Sequence, residues 1–156
     1  DSNGAGTIGD GGALVVSGGV LTNSSTTGSK LLFSTAGANA LVVTNGGQVV
    51  YANVDGSYPQ LDFNAADNTV VVSGAGSKLN LNNSTMRLNS SGGRLVVAQG
   101  GQLQCKKGHI GWRTSNNTVL VTGSNRGIST RVAWRRKPAF IITVWPKEWN
   151  SGSTVR

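Results

Sequence analysis

Asp62 and Arg87 are the two residues whose types and spacing most directly suggest chemistry in this sequence. Each is the middle residue of an apolar–charged–apolar triplet, "LDF" and "MRL", and in an extended strand it faces away from its apolar neighbours. A carboxylate can hold Ca²⁺ and a nearby base can abstract a proton. The simpler interpretation, an ion pair between strands worth roughly 0.2–1 kcal/mol, is favoured because the same column otherwise offers only Leu32 and Gly111.

Two other groups of residues could form chemical sites. Asp55, Asp62 and Asp67 could bind Ca²⁺, but they lack the spacing of known calcium loops, and ordinary turn residues explain them better. Cys105 and His109 in "CKKGH" could form a nucleophile and its base. Cys105 follows an inward apolar position by two residues, so core packing is the stronger interpretation. The sequence therefore predicts no catalytic residues, no metal site and no cofactor.

Repetition along the chain indicates which elements carry these residues. "NTVVVSG" at 68–74 returns as "NTVLVTG" at 117–123, and "GGALVVSGG", "NALVVTNGG" and "GGRLVVAQGG" are variants of the same phrase. Their first apolar residues are separated by 27, 29, 25 and 24 positions, and they are Leu14, Leu41, Val70, Leu95 and Val119. Each phrase alternates with period two and is bounded by Gly or Asn, which is typical of a β-strand.

After the phrase, which holds the first apolar position, each unit has a second and a third apolar position that follow Gly-containing turns. The second is a residue such as Leu79, and the third is a pair with one residue between, namely Leu31/Phe33, Leu61/Phe63, Met86/Leu88 and Ile110/Trp112. Three short strands in about 25 residues match one coil of a β-solenoid, since stacked coils can pair strand on strand. The sequence predicts an all-β parallel β-helix of about five coils with essentially no helix, and with Asn side chains bonding along the stack.

The quoted phrases resemble the autotransporter-associated β-strand repeats of large bacterial surface proteins over roughly residues 13–125. The resemblance implies a right-handed β-helical passenger or stalk on or outside a Gram-negative-type cell, and it implies no particular activity. One departure concerns the middle strand position, which is often polar in those repeats. Here it is apolar throughout: Val15, Val42, Val71, Val96 and Leu120.

That outward apolar stripe suggests lateral contact with another solenoid or with a covering segment. The alternative is that Val simply suits a strand face, and the sequence does not separate the two interpretations.

The chain divides into repeats at 1–125 and an atypical tail at 126–156. The net charge is +8, and the tail holds seven of the 14 Lys and Arg residues with one Glu, so the basicity is not a property of the repeats. The tail is interpreted as either a cap or a frameshift product. When the codons for "FIITVWPKE" are read with the frame moved back by one base, they can encode "YNNSLAEG". That sequence resembles a sixth copy of the repeated phrase, which the tail as written lacks. Its Trp-containing basic segment is therefore no basis for a nucleic-acid function.

These observations predict a structural or adhesive segment of a larger bacterial surface or secreted protein. The alternative is a polysaccharide-active, lyase-like β-helix enzyme or a carbohydrate-binding module. The expected partners are other solenoid repeats of the same parent chain, surface carbohydrate or a second solenoid, with no specific nucleic acid. A single cysteine excludes an internal disulfide. The sequence has no apolar run of 18 residues, so no membrane span is predicted. The start at Asp1 suggests an internal or processed fragment.

Overall fold

The computed structural model describes residues 6–23, 31–33, 37–51, 59–82, 84–89, 91–111, 114–123, 127–132 and 140–145. Within these ranges the chain forms β-strands and no helix, as the period-two pattern predicts. The strands are, in chain order, β1 (Gly6–Ile8), β2 (Ala13–Ser17), β3 (Val20–Asn23), β4 (Leu31–Phe33), β5 (Ala40–Thr44), β6 (Gln48–Tyr51), β7 (Pro59–Phe63), β8 (Thr69–Ser73), β9 (Lys78–Asn80), β10 (Thr85–Leu88), β11 (Arg94–Ala98), β12 (Gln102–Ile110), β13 (Asn117–Thr122), β14 (Gly127–Val132) and β15 (Phe140–Trp145).

The repeated phrase builds one six-stranded parallel sheet in the order β15-β13-β11-β8-β5-β2. Neighbouring strands of this sheet come from successive coils of the chain. The register pairs Leu14 with Leu41, Leu41 with Val70, Val70 with Leu95 and Leu95 with Val119. The predicted first column is therefore confirmed, and the protein is a β-solenoid whose coils stack through main-chain hydrogen bonds.

A nine-stranded parallel sheet holds the second and third strands of the coils. In the earlier coils these are separate strands, such as β9 and β10. In β12 they merge, because its first half pairs with β9 and its second half with β10. The predicted three separate strands per coil are therefore present in the earlier coils. In the coil that contains β12, the second and third strands form one continuous strand.

The core is a continuous column of inward side chains between the sheets. Along β5, β8 and β11 the inward residues are buried and the intervening ones are half-buried or exposed. Phe33 and Phe63 are both fully buried, and their rings stack with centroids 4.4 Å apart and planes 20° apart. Burial of each large apolar side chain contributes about 1.5–3 kcal/mol, so the stack is stabilised mainly along its interior.

Tight turns end the first strand of several coils. In the turn after β5 the Gly47 amide donates to the Thr44 carbonyl at 2.8 Å, and the two central residues, Asn45 and Gly46, have φ of 51° and 74°. Two successive positive φ values define a type I′ turn, for which Asn-Gly is the preferred sequence. The Asn and Gly residues that follow this phrase in the sequence are thus the residues that turn the chain.

Buried asparagines link neighbouring coils at the start of the first strand. The Oδ1 of Asn39 accepts from the Gly12 amide, and the Oδ1 of Asn68 accepts from the Asn39 amide, at 3.2 and 3.0 Å. Asn117 does the same for the Gly93 amide at 2.9 Å. The Asn side chains bond along the stack, but each bonds to the main chain of the adjacent coil and not to another Asn side chain. The N–H groups of Asn39 and Gly93 that find partners in this way are buried.

We expect Asn68→Ala to lower the free energy of unfolding by about 1–3 kcal/mol, because the buried Asn39 amide and the Ala65 carbonyl would each lose a partner. Urea unfolding followed by circular dichroism measures the change. Asn64→Ala is the matched control, since Asn64 is exposed four residues earlier. Equal loss in the two variants would contradict a structural role for the Asn68 side chain.

The backbone of the tail continues both sheets. β14 pairs in parallel with β12, and β15 pairs with β13 so that Ile142 lies opposite Val119. A cap is expected to pair in this way. The frameshift hypothesis concerns the coding DNA, and it stays a prediction that sequencing of that DNA would test.

Candidate functional site

Three polar residues share one outward column on the third strands of successive coils. The register places Asp62 of β7 beside Arg87 of β10, and Arg87 beside His109 of β12. On the other side of Asp62 the column continues to Leu32. The apolar pattern predicted Gly111 in the place that His109 occupies, and that assignment was wrong.

The error has a physical cause in the shortened corner of β12. Gly108 pairs with Met86 and Ile110 pairs with Leu88, so the inward pair is Gly108/Ile110 and not Ile110/Trp112. Because Gly108 has no side chain, the apolar pattern gave no signal at that inward position. Alternation counted backwards from Ile110 would have placed His109 outward.

Asp62 and Arg87 form an ion pair between coils. Arg87 Nη1 lies 3.8 Å from Asp62 Oδ2, with 35% of the arginine side chain and 11% of the aspartate side chain exposed. Asp62 therefore lies in the outward column, as predicted, but it is largely shielded from water. The contact has the geometry of the cross-strand ion pair in the favoured interpretation.

His109 is half-buried next to two cations. Burial lowers its pKa below the ordinary 6.5, and the positive charges of Arg87 and Lys107 lower that pKa further. The imidazole is consequently neutral at pH 7. As the pH falls below 6.5, the unfolded chain takes up this proton more readily than the folded chain, so acidification reduces stability through this group.

Lys107 belongs to the same surface and was missed as a site residue. It is exposed, lies two residues before His109 on β12, and pairs in register with Thr85. Residues i and i+2 of a strand lie on one face, so alternation along "KGH" was the available signal.

The apolar stripe occupies its predicted column. The register pairs Val15 with Val42, Val42 with Val71, Val71 with Val96 and Val96 with Leu120. Val15 is 57% exposed, and the other four residues are half-buried. The structure thus forms a continuous outward ridge of aliphatic side chains on the six-stranded sheet.

The other chemical groups do not assemble into a site among the described residues. Asp55 lies outside them, and Asp67 is an exposed turn residue with φ of 57°. Cys105 belongs to the buried core, as predicted, whereas His109 lies in the outward column. The described part of the chain contains no group of three His, Cys, Asp or Glu residues placed to hold a metal ion.

Searches against protein-family models, curated proteins and solved structures give no match to this chain. Within the described ranges, no helix has the length and apolar character required to cross a membrane.

Proposed function

We propose that this chain is a structural and adhesive segment of a larger bacterial surface or secreted protein. In that role it is a rigid β-helical stalk or passenger without catalytic activity of its own. The observation that supports this best is the unbroken register of the six-stranded sheet, from β2 to β15. A solid core and main-chain pairing at every step resist bending, which suits an element that spaces or displays other domains.

The proposed location and contacts follow from the repeat pattern and the stripe. The resemblance of the phrases to bacterial surface repeats favours an extracellular position on a Gram-negative-type cell. The stripe from Val15 to Leu120 favours lateral contact with a second solenoid or with further repeats of the same parent chain, because a continuous aliphatic ridge loses unfavourable water contact when covered.

A spacer role predicts that coils can be added. Inserting a second copy of residues 40–93 after Gly93 puts Ala40 into the register position of Arg94. Two added coils should lengthen the molecule by roughly 10 Å, measured as the maximum dimension in small-angle X-ray scattering. The midpoint of thermal unfolding should be retained or raised, because each new coil adds an interface.

The matched control carries the same insertion without its first residue, Ala40. A one-residue slip moves inward side chains to the outer face, so this control should lose stability or aggregate. An in-register insertion that unfolds, or that leaves the maximum dimension unchanged, would contradict the spacer role.

A polysaccharide-active enzyme is the second candidate, and the column of Asp62, Arg87 and His109 favours it. A neutral imidazole at pH 7 can accept a proton, and a guanidinium can neutralise a developing anion. Absorbance from unsaturated products of an acidic polysaccharide, lost in His109→Ala, would place the enzyme first.

A further inference from the structure

The cationic part of the outward column presents two fixed charges around one imidazole. Arg87 and His109 occupy facing positions on adjacent strands, which lie about 4.8 Å apart. Lys107 lies two residues from His109 along the strand, a separation of roughly 6.6 Å. The three residues therefore occupy neighbouring positions on one strand face, where their side chains can converge on a single carboxylate or sulfate.

Asp62 limits this group of residues on one side. Its carboxylate engages Nη1 of Arg87, and only 11% of the Asp62 side chain is exposed. A guanidinium has five N–H donors, so the ion pair holds Arg87 in place without using its capacity to bind a second anion. Asp62 acts in this arrangement as a positioning residue.

We propose that Arg87, Lys107 and His109 form a binding site for the anionic groups of an acidic polysaccharide, carboxylate or sulfate. The cations belong to adjacent coils on one strand face, so the site suits a linear chain with repeated charges better than an isolated small ion. The site does not depend on the stalk function: the column remains whether or not the solenoid spaces other domains.

Proton binding at His109 is coupled to this site. Arg87 and Lys107 oppose protonation, Asp62 lies beyond Arg87, and Arg131 of β14 pairs in register with Lys107. A bound anion offsets the two cations and favours the imidazolium. Binding should consequently raise the pKa of His109 and should itself strengthen as the pH falls.

His109 is the only histidine, so its imidazole signal in the proton NMR spectrum is a unique local reporter. The full chain is titrated with acid at low ionic strength, alone and with excess oligogalacturonate or an equally charged sulfated oligosaccharide. Either ligand should raise the pKa of His109 by roughly one. The two arms show which anion is preferred, and a single-stranded DNA oligomer of equal charge should have a smaller effect at His109.

Lys107→Gln should weaken the binding of the preferred oligosaccharide about fivefold, because one charged contact on a partly exposed face is lost. Lys78→Gln is the matched control: it removes the same charge from the same sheet, at a second-strand position, and should leave affinity unchanged. In the absence of ligand, Lys107→Gln should also raise the pKa of His109.

Three results would overturn the site. The first is a pKa of His109 that responds to neither oligosaccharide, and the second is equal weakening by Lys78→Gln and Lys107→Gln. The third is an equal response at His109 to DNA, which would indicate a general cationic surface. Success or failure of the coil insertion bears on none of them.

Discussion

Gly47→Ala should destabilise the solenoid by roughly 3 kcal/mol or more, or prevent folding. A Cβ at this position would lie 2.2 Å from the main-chain oxygen of Val16 in the preceding coil and 2.9 Å from that of Thr44. Both obstacles are backbone atoms, and they cannot rotate away as a side chain could. Gly101 meets the same obstacle, with Val72 oxygen at 2.3 Å, so the close approach is a property of the stack.

Gly19→Ala provides the matched control. Gly19 precedes β3 as Gly47 precedes β6, and a Cβ there would meet nothing within 4 Å. Both substitutions change the entropy of the unfolded chain equally, so the difference between them reports the contact between coils. Urea midpoints for the two variants measure it. Midpoints that fall together would show that the coils do not pack at this distance.

Phe63→Ala should lower the free energy of unfolding by about 3–5 kcal/mol. Phe63 is fully buried and stacks on Phe33, so truncation removes apolar contact from the core and leaves a cavity that neighbouring coils cannot fill without breaking strand pairing. Thermal and urea unfolding both measure the loss.

Two further variants separate burial from ring stacking. Phe63→Leu keeps most of the volume and should cost roughly 1–2 kcal/mol, including the aromatic pair. Leu21→Ala truncates an inward position that is 39% exposed at the end of the stack, and it should cost about 1 kcal/mol. A Phe63→Ala loss no larger than that of Leu21→Ala would place Phe63 outside a closed core.

The column of inward residues on the first strands could be predicted from sequence because the alternation within each phrase determines which residues face inward. Leu41, Val70 and Leu95 each sit in a run of alternating residues bounded by turn formers, so a slip of one residue would bury the wrong set. The same reasoning placed Cys105 in the core. Handedness and the parent protein's location have no such local signal.

The candidate site was less predictable because it depends on a corner whose length changes. The sequence reveals an inward position only through an apolar side chain, and Gly108 has none. Shielding of Asp62, whose side chain is 11% exposed, was likewise hidden, since the residues of a single strand do not show what the neighbouring coils cover. Patterns within a strand thus predicted the coils, while contacts between coils decided the site.

The corner between second and third strands has a further consequence. The chain takes seven residues from Tyr51 to Pro59, four from Asn80 to Thr85 and none within β12, yet the strands on both sides stay in register. The other corners, which carry the tight turns and the asparagine bonds, vary less: two to four residues lie between the first and second strands, and four to seven lie before the next first strand. New sequence, such as an epitope or a short recognition peptide, can therefore be grafted where the corner is long, and grafts in successive coils would be displayed as an evenly spaced array.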